Sequence, residues 1–565
     1  MRDFLERLGK RYVVRWLIAY LAVSWAGLEF LGFLTDTFAW SVVVPRIGTA
    51  VLAAGLPVVL ILSWYHGERG RQRVSGPEVA LLTVTTLVGL LLIREAARFE
   101  PSTLPAGLPA FSQASIAVLP FRNIGDTSDL YYADGLAEEI LTRLARLPDL
   151  HVIARRSSFL FRDTALDVTD IGRQLGVAHL LEGSVQRAEN RVRVRAQLIS
   201  VADGFEVWSN QYDVEMDDIL AVQDSISRAI VDTLQITLGA QAEALLTARP
   251  TDDPHAFDLY LRGRYAFYRA TPAGLAESLD YYRQAVALDS TYALAYSGMV
   301  DSYLITGFNY QAPASLLDDA MRAAENAVRL DPALPAAHVS LGFVRMVEGD
   351  LDGSEASFRR ALQLDPDNDD AHRWYASLLT YLGRFDAGLG EMAEARRLDP
   401  MSLNTMAEAA LPLYYARRYR QTVDEVTRVV ELNPGSPRVH LWRGWAHTML
   451  GNYERALADY RAEPAVLTGA RAHEGHVLAL MGRMDEAREI HDELVARADT
   501  EWVEPFRIAL LHVGMGDHDG AFRWLERAYE ARSFHLVTLD VDPMLDPIRD
   551  DPRFEDLRRR VGLLH

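Results

Sequence analysis

The residues that could carry chemistry are few in kind. The 565-residue chain has no cysteine, which removes disulfides, thiolate zinc sites, cysteine-ligated iron–sulfur clusters and cysteine nucleophiles. Its one lysine is Lys10, at the foot of an apolar segment. Phosphate-binding loops, kinase strand lysines and Schiff-base lysines all need one elsewhere. There is no Gly-x-Ser-x-Gly, no His-Glu-x-x-His and no glycine-rich nucleotide fingerprint. The run Asp365-Pro366-Asp367-Asn368-Asp369-Asp370 opens like a calcium loop. It lacks glycine at the sixth position and has Ala376 where a bidentate glutamate belongs, so it reads as a turn. His338, His372 and His440 share one register of a repeat, so each packs in its own unit. His473 and His476 could share a helix face, but no third ligand stands at metal spacing. The expectation is a protein without catalytic residues, cofactor or metal.

Charge shows what must hold these residues. The net charge is −20, which disfavours nucleic acid as a partner because phosphates need a basic face. The first 100 residues hold 11 Lys+Arg and 8 Asp+Glu, a balance of +3, leaving −23 for the rest. Within that basic part, apolar runs at about 12–34, 47–65 and 79–93 suit three transmembrane helices, since crossing takes about 20 residues. The third is short and relies on its flanks. Trp16, Trp25, Trp40 and Trp64 fall near segment ends. Arg2, Arg7, Lys10 and Arg11 precede the first run, and Arg69, Arg71 and Arg73 follow the second. The positive-inside rule then puts everything after Arg94 outside the cytoplasm. The reading is a bacterial inner-membrane protein, in contact with the bilayer, with a periplasmic C-terminal part. Residues 95–114, with Pro101, Pro105 and Pro109, read as a linker.

From Ser115 the pattern becomes mixed α/β. Ser115–Leu119 is a buried-strand run and 130–147 has helical periodicity. Leu150–Ile153 reads as a strand and 167–175 as a short helix. Runs 178–186 and 191–200 read as a hairpin, in which Arg191, Arg193 and Arg195 alternate with Val192, Val194 and Ala196. Residues 206–212 add a strand and 217–238 a long helix. The ordered strings Ile116-Ala117-Val118-Leu119-Pro120-Phe121, Asp134-Gly135-Leu136, Val152-Ile153-Ala154-Arg155-Arg156-Ser157-Ser158 and Leu181-Glu182-Gly183-Ser184-Val185 resemble the small α/β domain related to the TolB amino-terminal domain and to FlgO. The resemblance covers 115–240. It implies a domain set between membrane helices and repeats. Such relatives can carry a winged helix, kinase or cyclase on the cytoplasmic side; the short stretch before the first run leaves no room for one here.

Pro332, Pro366, Pro400 and Pro434 are each 34 residues apart. Each closes a segment such as Ala361-Leu362-Gln363-Leu364-Asp365, and Gly349, Gly383 and Gly451 fall at the turns between paired helices. That period, with proline after the second helix, is the signature of tetratricopeptide repeats. About eight units fit into 256–531, and 532–565 reads as a cap over the last helix pair. The expected architecture is therefore three transmembrane α-helices, a small α/β domain, then an all-α tetratricopeptide superhelix. The expected function is a membrane-tethered scaffold or sensor that binds a protein or peptide in the repeat groove. The alternative is a non-catalytic or diverged member of a transmembrane signalling system associated with a cyclase, kinase or transcription regulator. With units starting at Pro335, Asp369, Leu403 and Pro437, the groove positions hold Phe343, Arg373, Tyr381, Tyr414, Tyr415 and Trp445. Aromatic and arginine side chains are typical anchors.

Overall fold

The structure, a computed structural model, describes residues 114–563 apart from 148, 163, 165, 189–190, 237, 240–242, 244–245, 247–248, 312, 437 and 464–468. The apolar runs at 12–34, 47–65 and 79–93, the linker up to 113 and the hairpin tip at Glu189 and Asn190 lie outside the described residues. Among the described residues no helix is long and apolar enough to cross a membrane.

A mixed sheet comes first, built from β1 (Ser115–Val118), β2 (Arg122–Asn123), β3 (His151–Val152), β4 (His179–Ala188), β5 (Arg191–Ser200) and β6 (Glu206–Glu215). The order is β3-β1-β4-β5-β6, with β2 beside β4. β1 runs parallel to β3 and β4, while β4, β5 and β6 are antiparallel. Central parallel strands are covered on both faces, which is why β1 is buried throughout and apolar from Ile116 to Val118. Ile116 and Val118 pack under helices Leu130–Ala145 and Ile219–Thr233, and Ala117 under helix Val168–Leu175. On β5 the expected alternation holds: Val192, Val194 and Ala196 are fully buried. Arg191 and Arg193 stay outside and share Asp213 of β6. The helix expected over 217–238 is shorter, because Gln235 takes a left-handed φ of 56° just past its end.

Between Pro254 and Glu530 the described residues form eight helix pairs. Capping side chains start many of them: Asp253, Thr271, Asp350, Asn368 and Ser402 each accept a backbone N–H of the first turn. The turn inside a pair needs a left-handed residue, supplied by Gly349, Gly383 and Gly451 at φ 85°, 73° and 73°. The first helix of the fifth pair breaks into Leu403–Glu408 and Ala410–Tyr415. Pro412 has no N–H for the carbonyl four residues back.

Two features exceed a plain repeat stack. Phe257, Tyr260, Leu261 and Tyr282 of the first pair belong to the same core as the sheet, so the α/β domain and the array share one interior. The array also closes on itself. The Ala314 N–H donates to the Ala531 carbonyl (3.1 Å), Arg532 pairs with Asp318 (2.8 Å), and Arg417 grips Asp546 with both guanidinium nitrogens (2.6 and 2.9 Å). Segment 532–563 thus covers more than the last pair; it reaches back to the second and the fifth.

Candidate functional site

Closure leaves a partly enclosed cavity of about 510 Å³ along the inner helices. Its walls are the first helices of successive pairs, residues 138–156 of the α/β domain, and Phe534, His535 and Thr538 of the C-terminal segment. A nearly continuous line of rings follows one wall. Phe308 lies 5.5 Å from Phe343, which stacks on Trp374 at 3.9 Å. Tyr381 stands edge-on to Tyr415 at 6.0 Å, and Tyr415 to Tyr414 at 5.2 Å. Tyr414 in turn meets Trp445 at 5.4 Å. Phe534 enters from the C-terminal segment, 4.5 Å from Phe308 and 5.8 Å from Tyr381.

Of the six residues assigned to the groove, Phe343, Arg373, Tyr381, Tyr415 and Trp445 line this cavity. Tyr414 does not; it is buried between helices against Trp445 and Tyr419, and its hydroxyl has no hydrogen-bond partner. Phe343, Tyr381 and Tyr415 are also largely buried, because Phe534 and the α/β domain cover what would be an open groove in a longer superhelix. Arg373 is committed to Glu408 (2.9 Å) and Asp370 (2.8 Å).

The end of the cavity facing the α/β domain is an ion-pair network. Arg156 sits between Asp369 (3.0 Å), Asp370 (2.8 Å) and Asp399 (3.7 Å). Arg264 and Arg155 both pair with Glu138. Burial and the neighbouring Asp370 push the Asp369 carboxyl up. Burial also raises Asp301 to about 6. Asp399 shows how the domain is held. In other repeats the equivalent side chain closes its own turn: Asp289, Asp331, Asp365 and Asn433 each accept the N–H two residues on. Asp399 instead accepts the Ser157 N–H (3.0 Å) and hydroxyl (2.6 Å), and Ser157 Oγ accepts the Met401 N–H (2.8 Å). A serine of the α/β domain has entered the turn. The calcium-like run is therefore a docking loop: Asp367 meets His151 (3.1 Å), and Asp369 and Asp370 meet Arg156.

The recurring histidines are local, as their register implies. His338, His372 and His440 each donate from Nε2 to a proline carbonyl six residues back, Pro332, Pro366 and Pro434 (3.0, 2.9 and 3.0 Å). Among the described residues no group of three or more His, Asp or Glu is placed to hold a metal.

The far end of the cavity was not legible in the repeat register. Arg438, Trp502, Arg507, Phe534 and His535 gather there; of these only Arg438 falls at a repeat position, the second of the unit starting at Pro437, while the other four stand on the irregular late units and the C-terminal segment, where the 34-residue spacing gives no position to count from. Trp374, next to Arg373, was missed because the chosen positions skip it.

Comparison with known protein families places both parts. Residues 314–369, 344–402 and 408–466 match the tetratricopeptide repeat family. The helical array is a tetratricopeptide-repeat array. Residues 112–229 match the second domain of HilA/YgeH-like transcriptional regulators; the expected TolB and FlgO resemblance finds no support. A curated protein of Rhizobium meliloti (strain 1021) named "Putative adenylate cyclase 3" is 36% identical over 255 residues, 44% of this chain and 43% of that one. This chain thus spans less than half the length of that relative. Among solved structures, Pseudomonas aeruginosa PilF aligns at 18% identity with a TM-score of 0.30, over 38% of this chain and 94% of that one. YrrB, described as a TPR protein with an unusual peptide-binding site, aligns at 19% identity and 0.23, over 35% and 93%. A human IFIT1 dimer with PPP-AAAA aligns at 14% and 0.36, over 56% and 81%. Likenesses at these scores decide nothing about function.

Proposed function

We propose that this chain is a non-enzymatic scaffold or sensor, tethered to the bacterial inner membrane by its apolar N-terminal runs. Its soluble part lies on the periplasmic side, and it receives a segment of a partner protein in the array's cavity. The observation that carries this reading is the aromatic line from Phe308 to Trp445 inside the repeats. A closed array cannot take a folded domain there. It can take an extended chain end, whose apolar side chains would stack on Trp374 and Trp445. The single lysine and the lack of cysteine support a role without catalysis.

A photo-crosslinking residue placed at Trp374 or Trp445, in cells, should trap one defined partner. The same residue at exposed Tyr529 should not. Equal capture from all three positions would remove the cavity as the partner site. A second reading is favoured by the HilA/YgeH-like domain and the relative named as a cyclase: the chain is a regulatory member of a signalling system. ATP turnover by the full chain, abolished by one substitution, would replace the scaffold reading with an enzymatic one; none is expected.

A further inference from the structure

The two ends of the cavity differ in one electrostatic respect. At the domain-facing end Arg155, Arg156, Arg264 and Arg373 all touch carboxylates. At the far end Arg438 and Arg507 touch none among the described residues. The Arg438 guanidinium reaches only the Asn309 side-chain oxygen (2.7 Å). That of Arg507 reaches only ring nitrogens, His535 Nε2 at 3.1 Å and His473 Nε2 at 3.4 Å. Both histidines are held well below their usual range by burial and by Arg507 itself, so they are neutral and supply no counter-charge.

Two carboxylates stand nearby, and both are engaged elsewhere. Glu463 accepts the backbone N–H of Arg438 (2.7 Å) and of Leu441 (3.0 Å). Glu504 accepts the Ser533 hydroxyl (2.7 Å) and the Phe506 N–H (3.2 Å) at one oxygen, and its other oxygen lies 3.8 Å from His535 Nδ1. Burial lowers the Arg507 pKa; the nearby Glu504 charge opposes that shift and Arg438 adds to it. The Trp445 indole N–H, at the same end, has no acceptor. Arg438 also holds a left-handed φ of 67°, a strained conformation for a non-glycine residue.

We propose that Arg438 and Arg507 form an oxyanion-binding site within the cavity, for the carboxylate or phosphate of a compact organic molecule whose apolar part lies against Trp445 and Tyr415. Planar guanidinium groups bind both oxyanions through paired N–H donors, and a cavity of this size is in the range of small-molecule sites. The inference rests on the reading above in taking the cavity as a ligand site. It adds the charge of what enters.

The test titrates the full chain in detergent with benzoate, phenyl phosphate and benzyl alcohol, by calorimetry. At least one anion should bind roughly ten times tighter than the alcohol, since a charge-assisted pair distinguishes them. Arg438→Asn, which tolerates the left-handed backbone, should lose that preference, and so should Arg507→Gln if its melting temperature shows it folded. Tighter phenyl phosphate would assign a phosphoryl ligand and tighter benzoate a carboxylate. Alcohol and anions binding alike would keep the cavity as a ligand site and overturn the oxyanion site. So would an anion preference that survives in Arg438→Asn. Binding of none of the three probes would overturn the oxyanion site and leave the partner-segment reading to the crosslinking test.

Discussion

At the domain-facing end of the cavity, every arginine named above has a carboxylate and the polar groups lock two parts of the chain together. At the end facing the C-terminal segment, two arginines lack one and the packing is by rings. The first arrangement resembles a permanent interface, because removing one partner of a buried pair strands the other charge. The second resembles a site kept ready for something else. The difference argues that the α/β domain is a fixed wall and that ligand chemistry belongs to the opposite end.

The largest effect should come from breaking the fixed wall. Asp399→Ala removes the buried acceptor of both Ser157 donors and leaves half-buried Arg156 with less counter-charge. It should cost about 3 kcal/mol of stability, read by denaturant unfolding, and expose 151–158 to protease. If the domain stays protected, the wall is held by the shared core around Tyr282 and not by the ion pairs.

Phe534→Ala should follow at about 2 kcal/mol, since it withdraws a ring from Phe308, Phe343 and Tyr381. Hydrogen exchange should speed up in Pro335–Glu348 and His518–Glu530 and leave Leu130–Ala145 unchanged. Faster exchange in the α/β domain as well would mean that the two ends open together. Ser157→Ala is expected to cost about 1 kcal/mol. In a double-mutant cycle with Asp399→Ala, most of that should vanish.

Acidity should separate the ends most subtly. Asp301 and Asp369 are raised in the folded protein, so between their unfolded range near pH 4 and about pH 6 the native state holds more protons than the unfolded. Their contribution to stability is lost as pH rises through that window and returns on acidification. His473 and His535 are depressed. The unfolded chain takes up their protons first, and stability is lost as pH falls below about 6.5. Moving from pH 7 to pH 5 should therefore raise protection around Asp301 relative to Gly469–Leu480, in exchange data corrected for intrinsic rates. Asp301→Asn should flatten the response at its own end only. A uniform shift across both ends would contradict the separation.

Much of this architecture can be read in the chain because it is periodic. The 34-residue proline spacing places the helix pairs, since each pair is a local hairpin stabilised by its neighbours. Ala361 and Ala395 are fully buried where helices approach. The Arg-Val alternation of β5 names its outer face, because strand side chains alternate by geometry. The repeat register put five of the six predicted residues, four aromatic rings and Arg373, on the cavity wall.

What the sequence could not determine is closure, and the reason is physical: contacts between residues more than 100 apart leave no periodic trace. Tertiary structure decided that Ser157 would enter the Asp399 turn and that Phe534 would enter the groove from the C-terminal segment. Even so, closure marks the chain as departures from the repeat. Where the turns at Gly349, Gly383, Gly451, Gly482 and Gly516 carry glycine, the turn of the fifth pair carries Arg417 at φ 62°, which reaches Asp546. Arg438 and Arg532 are also left-handed, at φ 67° and 51°, and reach Asn309 and Asp318. The period alone fixes a stack of helix pairs. These strained arginines, whose partners only the folded chain supplies, belong to its closing into a cavity.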